Sequence, residues 1–133
     1  MKEYSKSFDK WNIKKKLINC ETKNILPNKK QIWWLNVGVN VGVEENGKNG
    51  NFERPVLVIK VFNRQCFLGI PMTSTEKIGK YYHKINFLGK DSYLILSQIK
   101  LFSIKRVSRK IYKIDRKEFD IIMNKLKKVI GFK

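Results

Sequence analysis

The sequence predicts a small, curled, mostly antiparallel β barrel flanked by helices, on three observations. Short apolar runs rich in β-branched and aromatic residues recur between Gln31 and Ile114, separated by Gly, Asn and polar clusters. Two of them, "PVLVIKVF" (55–62) and "CFLGIPM" (66–72), are joined only by Asn63–Gln65, which predicts a hairpin. The chain then closes on a capped amphipathic helix. Asp115 stands at its N-cap with Glu118 three residues on, and Phe119, Ile122, Leu126, Val129 and Ile130 recur at three and four.

The remaining elements follow in order. Residues 6–19 space Phe8, Trp11 and Leu17/Ile18 at helical intervals with lysines between, predicting a short basic helix. Residues 20–30 are a connector with Pro27 and Asn28 as turn residues. "IWWLNVG" (32–38) reads as a strand in which one of Trp33 and Trp34 is core and the other faces a partner. Residues 38–53 form a long Gly/Asn-rich loop, acidic through Glu44, Glu45 and Glu53. After a polar loop at 73–80, strands are expected at 81–87 and 93–99, with a turn at 88–92. A short helical turn follows within 100–108, and a last strand at 109–114. This sums to five or six strands.

At 133 residues, 42% of them hydrophobic, the chain is large enough for one real core. Lys and Arg number 29 against 11 acids, a formal charge of +18, which points to a polyanion: RNA, DNA or an anionic membrane surface. An AT-rich coding bias accounts for abundant lysine, but less well for so large an imbalance. Two distant cysteines and a single histidine, His83, exclude a zinc site of the usual spacing. No cofactor is expected. Residues 1–20 lack the apolar stretch of a signal peptide and no run is long enough to span a membrane, so a cytoplasmic protein is expected.

Between Lys77 and Lys113 ten Lys/Arg face one acid, Asp91, with Tyr81, Tyr82, His83 and Phe87 among them. Cations for phosphates and aromatics for unpaired bases are what a single-strand surface requires. Ser74, Lys77, Lys80, Tyr82, His83, Lys105 and Arg106 are the candidate RNA contacts. No phosphate loop, paired helical carboxylates or HExxH motif is present. Cleavage of RNA by its own 2′-OH needs none of these. It needs a proton acceptor, a cation at the phosphorane and a hydroxyl donor. The hairpin brings Arg54, which opens one strand, beside Thr73, which closes the next. Arg54 can equally be a strand-edge arginine paired with Glu53 or Asp91, and Thr73 and Ser74 plain turn residues.

"IWWLNVG…GVEENG…ERPVLVIK", then "LGIPMTS" and "DSYLILSQIKLFSIKRVSRKI", resemble the PemK/MazF family of type II toxin–antitoxin ribonucleases, from about Gln31 to Ile130. The resemblance implies an SH3-like barrel that forms a homodimer and cleaves single-stranded mRNA without metal. It also implies neutralisation by a cognate acidic antitoxin peptide. Residues 1–30 would be an N-terminal helical extension and 31–133 the toxin domain. By the same resemblance Arg54, Thr73 and Glu44 are the catalytic residues. Glu45 or Glu53 are substitutes for Glu44, because the loop between Glu44 and Arg54 is longer than in compact members. Where some members carry a carboxylate or a histidine, this chain has Ser97 and Val43. Ser92 and Gln98 read as structural. Two other readings are a gyrase-inhibiting toxin of the same barrel superfamily and a non-catalytic SH3-like nucleic-acid-binding module.

Overall fold

In the computed structural model, which describes residues 7–48 and 52–131, the chain builds one curled antiparallel sheet between two helices. The strands are β1 (Gln31–Asn36), β2 (Glu53–Val61), β3 (Cys66–Thr73), β4 (Tyr82–Phe87), β5 (Lys90–Ile95), β6 (Lys100–Ser103) and β7 (Val107–Lys113). The helices are α1 (Phe8–Cys20) and α2 (Arg116–Val129), with single 3-10 turns at Leu96–Gln98 and Ile104–Arg106. Spatial order is β4-β5-β3-β2-β1-β7, with β6 added against the start of β3. β3 is the pivot. Cys66–Gly69 pairs with β6, Met72–Thr73 pairs with β5, and the other edge pairs with β2 throughout. Changing partners along one edge forces the sheet to curl.

Both faces of the sheet are buried, because β2 alternates between two cores. Leu57 and Ile59 join Ile32, Ile70, Met72 and Leu94 beneath Phe119, Ile122 and Leu126 of α2. Val56 and Val58 join Trp33, Leu35, Phe67 and Phe102 on the other side. The buried Trp33 indole N–H donates to Gln31 Oε1 at 2.9 Å, so its polar end is satisfied. Trp34 lies on the opposite face, half-buried, with the Arg109 guanidinium 5.1 Å from its ring. Asp115 caps α2 as expected, accepting from Glu118 N at 2.8 Å.

Three sequence expectations shift. The 88–92 turn contracts to Leu88–Gly89, both with positive φ, and the polar Lys90 and Asp91 belong to β5. That end of the hairpin is solvated, and Asn86 Nδ2 donates to Asp91 Oδ1 across it. The 93–99 strand ends early at Ile95, and its tail winds into a 3-10 turn. The strands number seven, since the short, largely exposed β6 carries too little apolar pattern to register.

α1 was expected to present Phe8, Trp11, Leu17 and Ile18 on one face; only Trp11 and Ile18, a seven-residue step apart, are buried. Residues 1–6, the start of the expected extension, and 49–51 of the long loop lie outside the described residues. Trp11 lies against Gly38 and meets Phe52 in a tilted ring pair with centroids 5.5 Å apart, on the two arms of the loop that links β1 to β2. Gly38 has φ +78 and no room for a Cβ beneath the indole. Gly38→Ala is expected to cost about 2 kcal/mol from the left-handed backbone and the lost indole seat. A urea midpoint equal to that of the parent chain would contradict this packing.

Candidate active site

Arg54 enters the fold at the start of β2, where Pro55 favours extended backbone at the residue before it. In β1–β2 register Arg54 lies opposite Leu35, and in β2–β3 register Val56 lies opposite Pro71. The guanidinium therefore stands over the end of β3. Nη1 donates to Met72 O at 3.1 Å, Nε donates to Asn46 O at 2.7 Å, and Nη2 faces Glu45 Oε2 at 3.4 Å. Arg54 is 7% exposed. Burial pushes its pKa below the ordinary arginine value, and the Glu45 carboxylate opposes that shift.

Thr73 is also buried, one residue beyond the carbonyl that Arg54 holds. Its Oγ1 accepts from Thr75 N at 3.2 Å, and its carbonyl accepts from Ser92 Oγ at 3.4 Å. Ser92 thus braces the end of β3 from β5. The hydroxyl hydrogen of Thr73 is left to donate elsewhere. Ser74, immediately after, is exposed.

The three glutamates separate by geometry. Glu53 and Arg54 are successive strand residues, so their side chains leave opposite faces of the pleat. Glu53 is 2% exposed, and Arg109 Nη1 reaches both its oxygens at 3.2 and 3.1 Å. Glu44 is exposed and turned back on its own loop, accepting from Val41 N at 3.1 Å. Glu45 is the carboxylate that meets Arg54. The Arg54 partners considered from sequence, Glu53 and Asp91, instead pair with Arg109 and Lys84.

Gln98 positions this loop. From the 3-10 turn after β5, its Oε1 accepts from Glu45 N at 2.8 Å and its Nε2 donates to Val43 O at 3.1 Å. Asn40 gathers the same loop from within. Its Nδ2 donates to Val37 O and Glu45 O, while its backbone N donates to Asn46 Oδ1. Beside the clamp lies a hollow of about 390 Å³, with Glu44, Glu45, Gln98 and Lys100 over Pro71 and Phe102. The Gln-Ile pair was visible in the sequence; its contact with a loop more than fifty residues away was not. Gln98→Ala is expected to loosen the Glu45 loop, seen as faster amide exchange at Glu45, with little change in Tm. Unchanged exchange there would remove Gln98 from the clamp.

The other candidate RNA contacts disperse. Lys77 and Lys80 are exposed, Lys80 with its ammonium 5.1 Å from the Tyr81 ring. Tyr82 and His83 are engaged by α2: Lys125 Nζ donates to Tyr82 O at 2.6 Å, and His83 Nε2 lies 3.3 Å from Glu118 Oε1. Lys105 and Arg106 meet α1 at the other side of the barrel wall. Among the described residues no group of three or more His, Cys, Asp or Glu is placed to share a metal ion. No helix among them is long and apolar enough to cross a membrane.

No curated protein matches the chain in sequence. Solved structures do match in fold. A MazF from Deinococcus radiodurans superposes with TM-score 0.70 at 19% identity, over 82% of this chain and all of that one. A mycobacterial endoribonuclease in complex with its cognate antitoxin gives 0.62 at 12% identity, over 81% and 98%. The MazF-mt6 toxin of Mycobacterium tuberculosis gives 0.60 at 12% identity, over 77% and 98%. The mainly β, curled antiparallel fold with terminal helices is thus the MazF-like one. Residues 28–130 match the family described as PemK-like, MazF-like toxin of type II toxin-antitoxin system, and the chain belongs to that family.

Proposed function

We propose that this toxin is a ribonuclease that cleaves single-stranded RNA by in-line attack of the substrate's 2′-OH. The observation that carries the reading is the buried Arg54 guanidinium, set between the Glu45 carboxylate and the Thr73 end of β3. The Arg54–Glu45 separation of 3.4 Å exceeds that of a tight charge-assisted hydrogen bond, so a substrate phosphate can take over Nη2. Glu45 is then freed beside the phosphate to accept the 2′-OH proton. The 2′ oxygen bonds to phosphorus while Arg54 and the Thr73 hydroxyl hold the charge developing on the non-bridging oxygens. The P–O5′ bond breaks, and the leaving oxygen takes a proton from Arg54 or water. Burial shifts Arg54 in the direction that eases such a donation. The products are a 2′,3′-cyclic phosphate and a 5′-OH end.

This assignment moves the base from Glu44 to its neighbour Glu45 and leaves Glu53 a structural role. The catalytic set is Arg54, Thr73 and Glu45. The protein would act in the cytoplasm as a homodimer, held inactive by an acidic antitoxin peptide; toxins of like fold occur in such complexes. Incubation with a long mixed-sequence RNA in EDTA is expected to give discrete fragments. Intact RNA under EDTA, with cleavage restored by added metal, would overturn the metal-free mechanism. RNA bound but never cut would make the barrel a binding module.

A further inference from the structure

The matched family segment begins at residue 28, so α1 lies outside it. Against the Ile104–Arg106 turn, α1 encloses a hollow of about 350 Å³ whose charged lining is Lys15, Lys16, Lys105 and Arg106, with no acid among the described residues. A second hollow of about 440 Å³ shares Asn19, Ser103 and Lys105 with it and adds Lys23 and Arg64; its one acid, Glu21, is paired with Lys23 at 3.0 Å. Together they form one cationic groove.

These cations have no counter-charge among the described residues: none of Lys15, Lys16, Lys105 or Arg106 pairs with an acid there. Lys105 Nζ donates to Asn19 O at 2.6 Å and Arg106 Nη1 to Asn36 O at 2.9 Å. Neutral carbonyls orient these heads and leave their charge in place. Arg106 is half-buried, which pushes its pKa below the ordinary value with no carboxylate to offset it. An uncompensated, partly desolvated guanidinium is a standing site for an anion.

The groove shares no lining residue with the active-site hollow, but two residues relate them. Lys100, which lines that hollow, has its pKa lowered first by burial and then by the positive charge of Arg106, against the opposing pull of Glu44. Trp11, in the groove wall, seats on Gly38 at the neck of the Glu45 loop.

We propose that α1 and the 104–106 turn form an accessory groove that holds phosphates of the substrate RNA beyond the scissile bond through Lys15, Lys16, Lys105 and Arg106. The proposal rests on the ribonuclease reading. A peptide partner fits the groove less well, because its apolar members, Trp11 and Ile18, are spent inward on the barrel. What faces outward is cations and the amides of Asn12 and Asn19. Those groups suit a sugar–phosphate backbone, whereas a peptide interface centres on buried apolar anchors.

The test uses the full chain, with Lys15→Ala/Lys16→Ala and Lys15→Arg/Lys16→Arg, and two all-2′-O-methyl RNAs that cannot be cut. One is about 5 nucleotides, enough for the scissile site alone, and the other about 20. The alanine pair should weaken the long RNA about tenfold at about 0.1 M salt and flatten its log–log salt slope by about 1.4, two contacts of about 0.7 each. The short RNA should bind unchanged, and the arginine pair should restore the long one. If the parent chain binds RNA and the salt slope of the alanine pair is unaltered, the groove proposal falls and the ribonuclease reading stands. If the parent chain neither binds nor cleaves RNA, both fall. If the alanine pair loses a poly-glutamate peptide but keeps the long RNA, the groove serves a protein partner and the proposal is wrong.

Discussion

Arg54→Ala is expected to lower the rate of RNA cleavage about 10²–10³-fold, the usual cost of removing one preorganised donor from a developing anionic charge. The loss should fall on turnover more than on substrate affinity, since the many surface cations that attract RNA remain. Arg54→Lys should recover little of it. An ammonium cannot reproduce the three directions in which Nε, Nη1 and Nη2 meet Asn46 O, Met72 O and Glu45. The stability change should be about 1–2 kcal/mol, from the donors lost to Met72 O and Asn46 O rather than from an unpaired charge. Glu45 keeps a quarter of its side chain in solvent, so it can rehydrate when its partner goes. Single-turnover cleavage alongside thermal melting separates the two effects. Alanine and lysine variants that both cut at the parent rate would take the chemistry away from Arg54.

The largest effect on stability is expected at Arg109. It is exposed, yet it is the one ion-pair partner of Glu53 among the described residues, and Glu53 is almost wholly buried. Arg109→Ala leaves a carboxylate inside the barrel wall without a counter-charge and strips a cation from the Trp34 face. The expected cost is about 2–3 kcal/mol, a fall in Tm of roughly 10 °C for a domain of this size. Adding Glu53→Gln to Arg109→Ala should return much of that, because an amide is cheaper to bury than an unpaired carboxylate. A double variant no more stable than Arg109→Ala would mean the penalty is packing rather than charge. Neither change touches Arg54, so the cleavage rate at temperatures well below Tm should stay within a fewfold of the parent.

These two arginines also show how far the sequence could be read. Arg54 beside the end of β3 followed from a three-residue hairpin connection and pleat geometry alone, and the contact with Met72 O agrees. The cap of α2 and its inner face through Phe119, Ile122 and Leu126 were equally plain, since helix caps and 3.6-residue periodicity are local signals, whereas Ile130, expected on that face, lies at the C-cap and is exposed. Glu53 was a different matter. Its place opposite Arg109 depends on β1 pairing with both β2 and β7, a non-local arrangement absent from any window of sequence. Pleat alternation could still have been applied: neighbours in one strand do not share a face, so Glu53 and Arg54 could not serve one phosphate.

The choice between Glu44 and Glu45 was closed to sequence for a related reason. Irregular loops carry no periodicity, and this one is shaped by Asn40 within it and Gln98 beyond it. α1 misled differently. Lysine-rich helices with scattered apolar residues have several plausible faces, and docking through Trp11 onto Gly38 selected the one holding Ile18. β6 escaped because four residues with one buried side chain leave almost no pattern.

The most direct measurement places a single 2′-deoxy nucleotide immediately 5′ of a mapped cut in an otherwise all-RNA substrate. With no 2′-OH at that position, the account predicts that cleavage there is abolished while other sites are still cut, each leaving a 2′,3′-cyclic phosphate. Cleavage at the deoxy position at an undiminished rate would mean that water or a protein group is the nucleophile, and the mechanism built on Arg54, Glu45 and Thr73 would be contradicted.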